Sequence, residues 1–465
     1  MVQVDHYDAV IIGAGQAGVP LGIALAQAGG RTALIEREHV GGTCVNEGCT
    51  PSKTMVASAR VVYLARRGPH YGIETDPMAE VDMVTVRGRK RAIVERFRSS
   101  SEHRLAQCPG LDLFRGEASF TGPRSLVVQL SSGQRQEIAA ETIFINTGQR
   151  PTMPLLMGLD GVPALTSTTI MALDAVPEHL LILGGGYVGV EFSQMFRRFG
   201  SEVTIVQRGA QLLAREDPDV AAAVTEILRE DGIEVLLDST AVHVEGMADE
   251  RVWLHLRTPQ DERTLLGSHL LVATGRTPNT EALNLWLAGV ATDARGYVRV
   301  NERLETTAPG IYALGDVTGE PAFTHVSYDD YRIIRANLLE GGNRTTRERL
   351  VPYTVFIDPE LGRVGLSEQE ARNQGRAIRV ARMPMSAVAR ALEVDEPRGL
   401  IKAVVDADSG QILGCAVLGL EGGEILALLQ VAMLGRLPYT PLRDGIFTHP
   451  TLAEALNTLF AHLDG

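Results

Sequence analysis

One pattern occurs twice in this chain of 465 residues, and it limits what the chain can fold into. Asp8-Ala9-Val10-Ile11-Ile12 runs straight into Gly13-Ala14-Gly15-Gln16-Ala17-Gly18. A helical stretch with Leu21 and Leu25 on one side follows, and then a second apolar run, Thr32–Glu36. Much later Leu180-Leu181-Ile182-Leu183 leads into Gly184-Gly185-Gly186-Tyr187-Val188-Gly189, a helix bearing Phe192, Met195 and Phe196, and the run Glu202–Val206. Glu36 stands as far after Gly13 as Gln207 stands after Gly184. A single Gly-x-Gly-x-x-Gly arises by chance. Two in matched register define a pair of βαβ units, each of which sets a dinucleotide pyrophosphate against a helix N-terminus.

A chain this long exceeds one hydrophobic core and predicts two to four domains. Its 48 glycines come without low complexity, which fits nucleotide-binding turns better than disorder. The formal net charge of −13 and the lack of a basic run argue against a nucleic-acid partner. No charged, apolar leader precedes Asp8, and Ala9–Gly30 is broken by glycines, Gln16 and Gln27. The reading is therefore no signal peptide, no membrane span and a cytoplasmic protein.

The four cysteines are Cys44, Cys49, Cys108 and Cys415. So few exclude a disulfide scaffold, and the close pair reads as redox-active in a reducing compartment. Residues five apart on a regular helix have Cα atoms about 8.6 Å apart, whereas a disulfide needs less than about 7 Å. If Cys44 and Cys49 are bonded, an irregular turn must lie between them, and Asn46 and Gly48 suit one. Pro51 fits the first turn of a helix continuing through Lys53, so that Lys53 should lie one to three turns beyond Cys44 on it. A helix N-terminus would favour a thiolate. The bland alternative is two buried free cysteines; Cys108 and Cys415 read as packing residues.

The run Gly41-Gly42-Thr43-Cys44-Val45-Asn46-Glu47-Gly48-Cys49-Thr50-Pro51-Ser52-Lys53, together with Phe447-Thr448-His449-Pro450-Thr451-Leu452-Ala453-Glu454, resembles the class I pyridine nucleotide–disulfide oxidoreductases. That family includes glutathione reductase, lipoamide dehydrogenase and mercuric reductase. The likeness covers essentially the whole chain. It implies an α/β fold with two Rossmann-like domains, for FAD and NAD(P)H, and a C-terminal α+β dimerisation domain. The expected division is 1–150 for the first part of the FAD domain, 151–275 for the NAD(P)H domain, 276–345 for the return segment and 346–465 for the dimerisation domain. Ile143–Gly148 and Leu271–Arg276, which end in Thr-Gly, mark the crossings.

The resemblance also assigns residues. Gly13, Gly15, Gly18, Gly42, Thr43, Thr147 and Gly148 would line the FAD site, with Glu36 on the adenosine ribose and Asp316 on the ribityl chain. Gly184, Gly186, Gly189 and Gly275 would belong to the nicotinamide side, with Tyr187 as an aromatic gate. Lys53 and Glu191 would pair beside the flavin. His449 would serve as acid and base for the dithiol, oriented by Glu454. An acid at position 207 would favour NAD; Gln207 followed by Arg208, with Arg215 nearby, tilts the expectation to NADPH, with NADH possible. The dimerisation domain implies a homodimer with active sites shared between subunits. No spacing among the other histidines signals a metal site.

The acceptor is less legible. Val206-Gln207-Arg208 through Arg215-Glu216-Asp217-Pro218 looks most like mercuric reductase. His325–Arg332 and Leu437–Asp444 look more like the copper-reducing flavoprotein of reactive-chlorine defence. The chain carries no terminal Cys-Cys and has His449 where mercuric reductase has Tyr. Lipoamide dehydrogenase and glutathione-type reduction are alternatives; a flavin redox sensor without turnover is a weaker one. The expected partner is a metal ion, Hg(II) or Cu(II), or a small disulfide.

Overall fold

The computed structural model describes residues 4–248 and 251–463. The chain divides into two compact units, each gathering distant stretches: 1–54, 87–152 and 276–349 in the first; 55–86, 153–275 and 350–465 in the second.

The first unit is built on a parallel sheet in the order Leu111–Gly122, Thr32–Glu36, Val4–Ile12, Arg135–Ile145, Ile311–Ala313. Within it Thr32–Glu36 is a short apolar run with all five residues buried. The strand expected to start by Asp8 begins at Val4, paired early with Arg135–Ile145. Ser125–Leu130 adds an antiparallel strand between the far ends of its two neighbours. The helix Gly18–Gln27 follows the first strand and turn, as the sequence pattern requires.

The second unit repeats the motif in a four-stranded parallel sheet, His269–Val272, His179–Leu183, Glu202–Val206, Glu234–Leu236, with the helix Tyr187–Phe199 behind the second glycine turn. A three-stranded antiparallel sheet (Thr240–Gly246, Val252–Arg257, Glu262–Gly267) is attached to it. The C-terminal part is a five-stranded antiparallel sheet centred on Leu400–Asp406 and Ile412–Gly419, with the helix Gly422–Leu434 on one side. Leu400–Val405 is buried at every position, not alternately, because that central strand is covered on both faces. No helix among the described residues is long and apolar enough to cross a membrane.

Candidate active site

In the first unit the glycine turn is packed against the backbone that follows the strand Arg135–Ile145. Gly13 has φ +106°, and a Cβ there would collide with the Asn146 carbonyl. A Cβ on Gly18 would strike the Gly13 carbonyl, and one on Gly42 would come 2.8 Å from the Gly15 Cα. Asn146 Nδ2 donates to the Gly13 carbonyl at 3.0 Å. Ala14 N–H donates to Glu36 Oε2 at 2.8 Å, and Glu38 N–H to Oε1 at 2.8 Å. Glu36 is thus fixed at the strand end, its carboxylate oriented by backbone.

Asp316 sits on a one-turn helix, Gly315–Thr318, just past the strand Ile311–Ala313. Burial pushes its carboxyl up, opposed by the charge of Arg276 and a hydrogen bond with Ser327. Burial likewise lowers the Arg276 guanidinium, with Asp316 the first opposing charge. Gly315 N–H donates to the fully buried Asp330 at 2.7 Å, and Arg349 neutralises Asp330 at 2.5 Å. Thr147 and Gly148 bond to Asn279 in a crossing of paired short strands, Gln149–Pro151 with Arg276–Pro278. The backbone cradle emptied of side chains, the carboxylate at the strand end and the buried Asp316 fit a flavin dinucleotide.

The two cysteines meet across the expected irregular turn. Cys44 belongs to a short helix, Gly42–Asn46, and Cys49 opens the helix Cys49–Arg66. Gly48 allows the return, since a Cβ there would lie 2.9 Å from the Thr43 carbonyl and 3.2 Å from the Cys44 Cα. No disulfide joins them. A hydrogen bond to Cys49, then burial, then the Cys49 charge push the Cys44 thiol well up, so the two thiols do not ionise together. Cys49 Sγ lies 3.7 Å from Thr324 Oγ1. The expectation that Lys53 shares a helix with Cys44 is corrected: the turn at Gly48 breaks the helix, and Lys53 lies half-buried one turn after Cys49. Cys108 and Cys415 are buried, and burial raises the Cys415 thiol to about 12.

In the second unit Gly184 has φ +107°, and a Cβ on Gly189 would meet the Gly184 carbonyl, as in the first turn. Gly186 precedes Tyr187 as the helix cap, and Gly275, φ +139°, ends the crossing. Gln207 Oε1 accepts from Gly185 N–H at 3.0 Å while Nε2 donates to the Gln211 carbonyl at 3.1 Å. Arg208 and Arg215 are exposed and pair with no carboxylate among the described residues. Glu191 is buried and accepts from Phe356 N–H at 2.9 Å.

Tyr187 is half-buried against Tyr353, with ring centroids 5.3 Å apart, and the Tyr353 hydroxyl donates to Glu216. Burial pushes the Glu216 carboxyl up, against Tyr353 and Arg363. Asp217 accepts from Glu368 N–H and Gln369 N–H and lies 3.0 Å from Lys402 Nζ. Sequence reasoning missed Tyr353, and it met Glu216 and Asp217 only as part of a resemblance; their partners are too distant in the chain to signal themselves.

His449 stands on an exposed loop, its Nδ1 2.9 and 3.0 Å from the two Glu454 oxygens. Thr451 Oγ1 donates to the Thr448 carbonyl at 2.7 Å and accepts from Glu454 N–H. Asn457 Nδ2 lies within 3.0 Å of the Leu442, Arg443 and Gly445 carbonyls, which anchors the approach to this loop. The imidazole therefore has one nitrogen engaged by a carboxylate and 71% of its side chain exposed. Such a pair can take and return a proton.

These turns, the paired thiols and the histidine–carboxylate pair define a flavoprotein disulfide oxidoreductase. The chain belongs to the pyridine nucleotide-disulphide oxidoreductase family, whose profile matches residues 7–330, with the family's dimerisation domain at 351–460. It is similar to the probable pyridine nucleotide-disulfide oxidoreductase RclA of Escherichia coli K12, at 41% identity over 98% of this chain and 99% of that protein. It is 36% identical to a mercuric reductase of Staphylococcus aureus, over 97% of this chain and 81% of the relative. Among solved structures, the Cu(II) complex of the HOCl-induced flavoprotein disulfide reductase RclA of Escherichia coli superimposes with a TM-score of 0.90 at 40% identity, covering 99% of this chain and 100% of that one.

Proposed function

We propose that this chain is a cytoplasmic, NADPH-preferring reductase that delivers electrons through Cys44 and Cys49 to Cu(II), Hg(II) or a small disulfide. The observation that carries the proposal is the thiol pair brought together across the turn at Gly48: a dithiol needs a base to become a nucleophile, and the His449–Glu454 pair is built as one. RclA with its Cu(II) complex and the mercuric reductases support a metal-ion acceptor.

Glu36, Asp316 and the Gly13–Gly18 turn would hold FAD; Gly184–Gly189, Arg208 and Arg215 would hold NADPH, with Tyr187 at the nicotinamide. The working domain division remains 1–150, 151–275, 276–345 and 346–465. Bound FAD supplies two-electron redox chemistry between a nicotinamide hydride and the Cys44–Cys49 disulfide. Cys49 keeps the thiolate, and Lys53, one turn along its helix, would supply a cation beside the flavin. His449 takes the Cys44 proton. Toward a disulfide, the Cys44 thiolate attacks one sulfur and the leaving thiolate takes the proton from His449. Cys49 then attacks Cys44 and expels the second thiolate. Toward copper, two Cu(II) each accept one electron as the Cys44–Cys49 bond re-forms and the single proton of Cys44 leaves through His449.

Leu428, Val431 and Leu434 on the helix Gly422–Leu434, with Ile446, are exposed apolar residues in the dimerisation domain, which supports a homodimer in which each dithiol uses the His449 of a second copy. Steady-state assays with NADPH and NADH against glutathione disulfide, lipoamide, Hg(II), Cu(II) and quinones test the acceptor. A heterodimer of Cys44→Ser and His449→Ala chains tests the sharing. Each homodimer should be nearly inactive with a disulfide, since acid–base catalysis contributes roughly 10²–10⁴-fold. The verified heterodimer should regain about half of native turnover, from its one intact site. No regain would place His449 with the Cys44 of its own chain.

A further inference from the structure

The three-stranded sheet of the second unit carries a cluster that nothing above uses. His243 and His255 are direct cross-strand partners, and Thr264 faces His255 from the third strand. Glu245 lies two residues beyond His243 on the same strand, hence on the same face. The two imidazoles stack with centroids 5.4 Å apart and planes at 18°. His243 Nδ1 is 3.2 Å from Glu245 Oε1, and His255 Nε2 is 3.8 Å from the same oxygen. One donor atom from each residue falls within 4.8 Å of the others. A tetrahedral ion with bonds of about 2.0–2.1 Å spaces its ligand atoms about 3.3 Å apart, so two edges, at 3.2 and 3.8 Å, are close to that spacing and the third lies within 4.8 Å.

A second observation concerns the ring of His255. Its Nδ1 is 3.0 Å from the Thr264 hydroxyl, while its Nε2 is buried and has no hydrogen-bond partner. A buried polar atom without a partner is costly. A hydroxyl on one ring nitrogen fixes ring orientation and turns the other nitrogen's lone pair toward the cluster, as outer-shell partners do around ligating histidines. Simple stacking of two histidines accounts for neither the buried nitrogen nor the carboxylate. The side chains of His243, His255 and Glu245 are 32%, 35% and 55% exposed, so an ion and a water could reach them.

We propose that His243, Glu245 and His255 form a binding site for a divalent borderline transition ion of the Zn(II) class, with solvent in the fourth position. Two imidazoles and one carboxylate suit Zn(II), Ni(II) or Cu(II), and disfavour Ca(II) and Mg(II), which take oxygen ligands. The site shares no residue with the dithiol. The sequence reading assigned no metal site because His-x-Glu and a lone later histidine show no ligand spacing until the strands pair.

The test uses untagged, full-length, flavin-loaded protein carrying Cys44→Ser and Cys49→Ser, so that thiols do not compete, titrated calorimetrically with Zn(II) alone. One Zn(II) per chain is expected. His255→Ala and His243→Gln should each weaken binding by more than about 100-fold, and Thr264→Val by about 10-fold, as loss of an outer-shell partner does. Flavin content and circular dichroism identify which variants fold, and either histidine variant suffices. Absence of saturable binding, or unchanged affinity in a folded histidine variant, overturns the site. So does an X-ray absorption spectrum of the zinc form without imidazole scattering.

Discussion

The two glycine turns are the same device finished differently. In each, one glycine lies at a φ near +106° and the last glycine of the fingerprint admits no Cβ. In each, the residue at the end of the second strand reaches back to accept a loop N–H: Glu36 from Ala14 at 2.8 Å, Gln207 from Gly185 at 3.0 Å. The chemistry then diverges. Glu36 is a carboxylate with both oxygens oriented by backbone N–H groups. Gln207 is a neutral amide spanning the loop and Gln211, followed by an exposed arginine. On the reading proposed above, one turn would offer hydrogen-bond acceptors to a ribose, and the other would present no negative charge to a 2′-phosphate. The backbone would then fix that a dinucleotide binds, and a single strand-end side chain would sort which one.

The largest effect expected from this comparison comes from filling the turns. Gly18→Ala drives a methyl into the Gly13 carbonyl, and Gly189→Ala into the Gly184 carbonyl. Overpacking typically costs about 1–3 kcal/mol, up to roughly 100-fold in affinity. Gly18→Ala should purify nearly colourless, with its flavin-to-protein absorbance ratio reduced at least tenfold. Gly189→Ala should remain yellow and lose reduction by NADPH. A Gly189→Ala protein that sheds flavin, or a Gly18→Ala protein that keeps it, would undo the assignment of the two turns.

Arg208→Ala probes the basic finish of the second turn. Removing a charge-assisted phosphate contact costs about 1.5–3 kcal/mol, so the preference for NADPH over NADH in kcat/KM should fall by roughly ten- to a hundredfold. Flavin content should not change. Equal use of both nucleotides by the native protein would sink the preference while leaving the fold untouched.

What the sequence discloses follows from the range of the interactions. The glycine turns, the strand-end residues Glu36 and Gln207 and the Cys44–Cys49 turn are local, so spacing alone exposes them. His449 and Glu454 are equally local, and their contact at 2.9 Å was expected. Tyr353 beneath Tyr187, Asp330 beneath Gly315 and the His243–His255 pair depend on strand register or on segments far apart in the chain. No local period marks them. The burial of Leu400–Val405 at every position is unmarked for the same reason: a strand covered on both faces shows that only once its coverings are known.

The smallest effects come from exchanging the two strand ends. Gln207→Glu keeps an oxygen for the Gly185 N–H but sets a carboxylate beside a 2′-phosphate and turns the second oxygen toward the Gln211 carbonyl. Repulsion on both sides should cost about 1–1.5 kcal/mol, roughly tenfold in the KM for NADPH, with NADH spared. Glu36→Gln is gentler. The amide oxygen can still accept from Ala14 N–H, but the amide nitrogen then faces the Glu38 N–H, donor against donor. One lost hydrogen bond is worth about 1 kcal/mol, so flavin should bind about fivefold more weakly, measured by equilibrium dialysis of reconstituted protein. If Glu36→Gln instead abolished flavin binding, its carboxylate charge would matter more than its hydrogen bonds, and the two strand ends would be related by position alone.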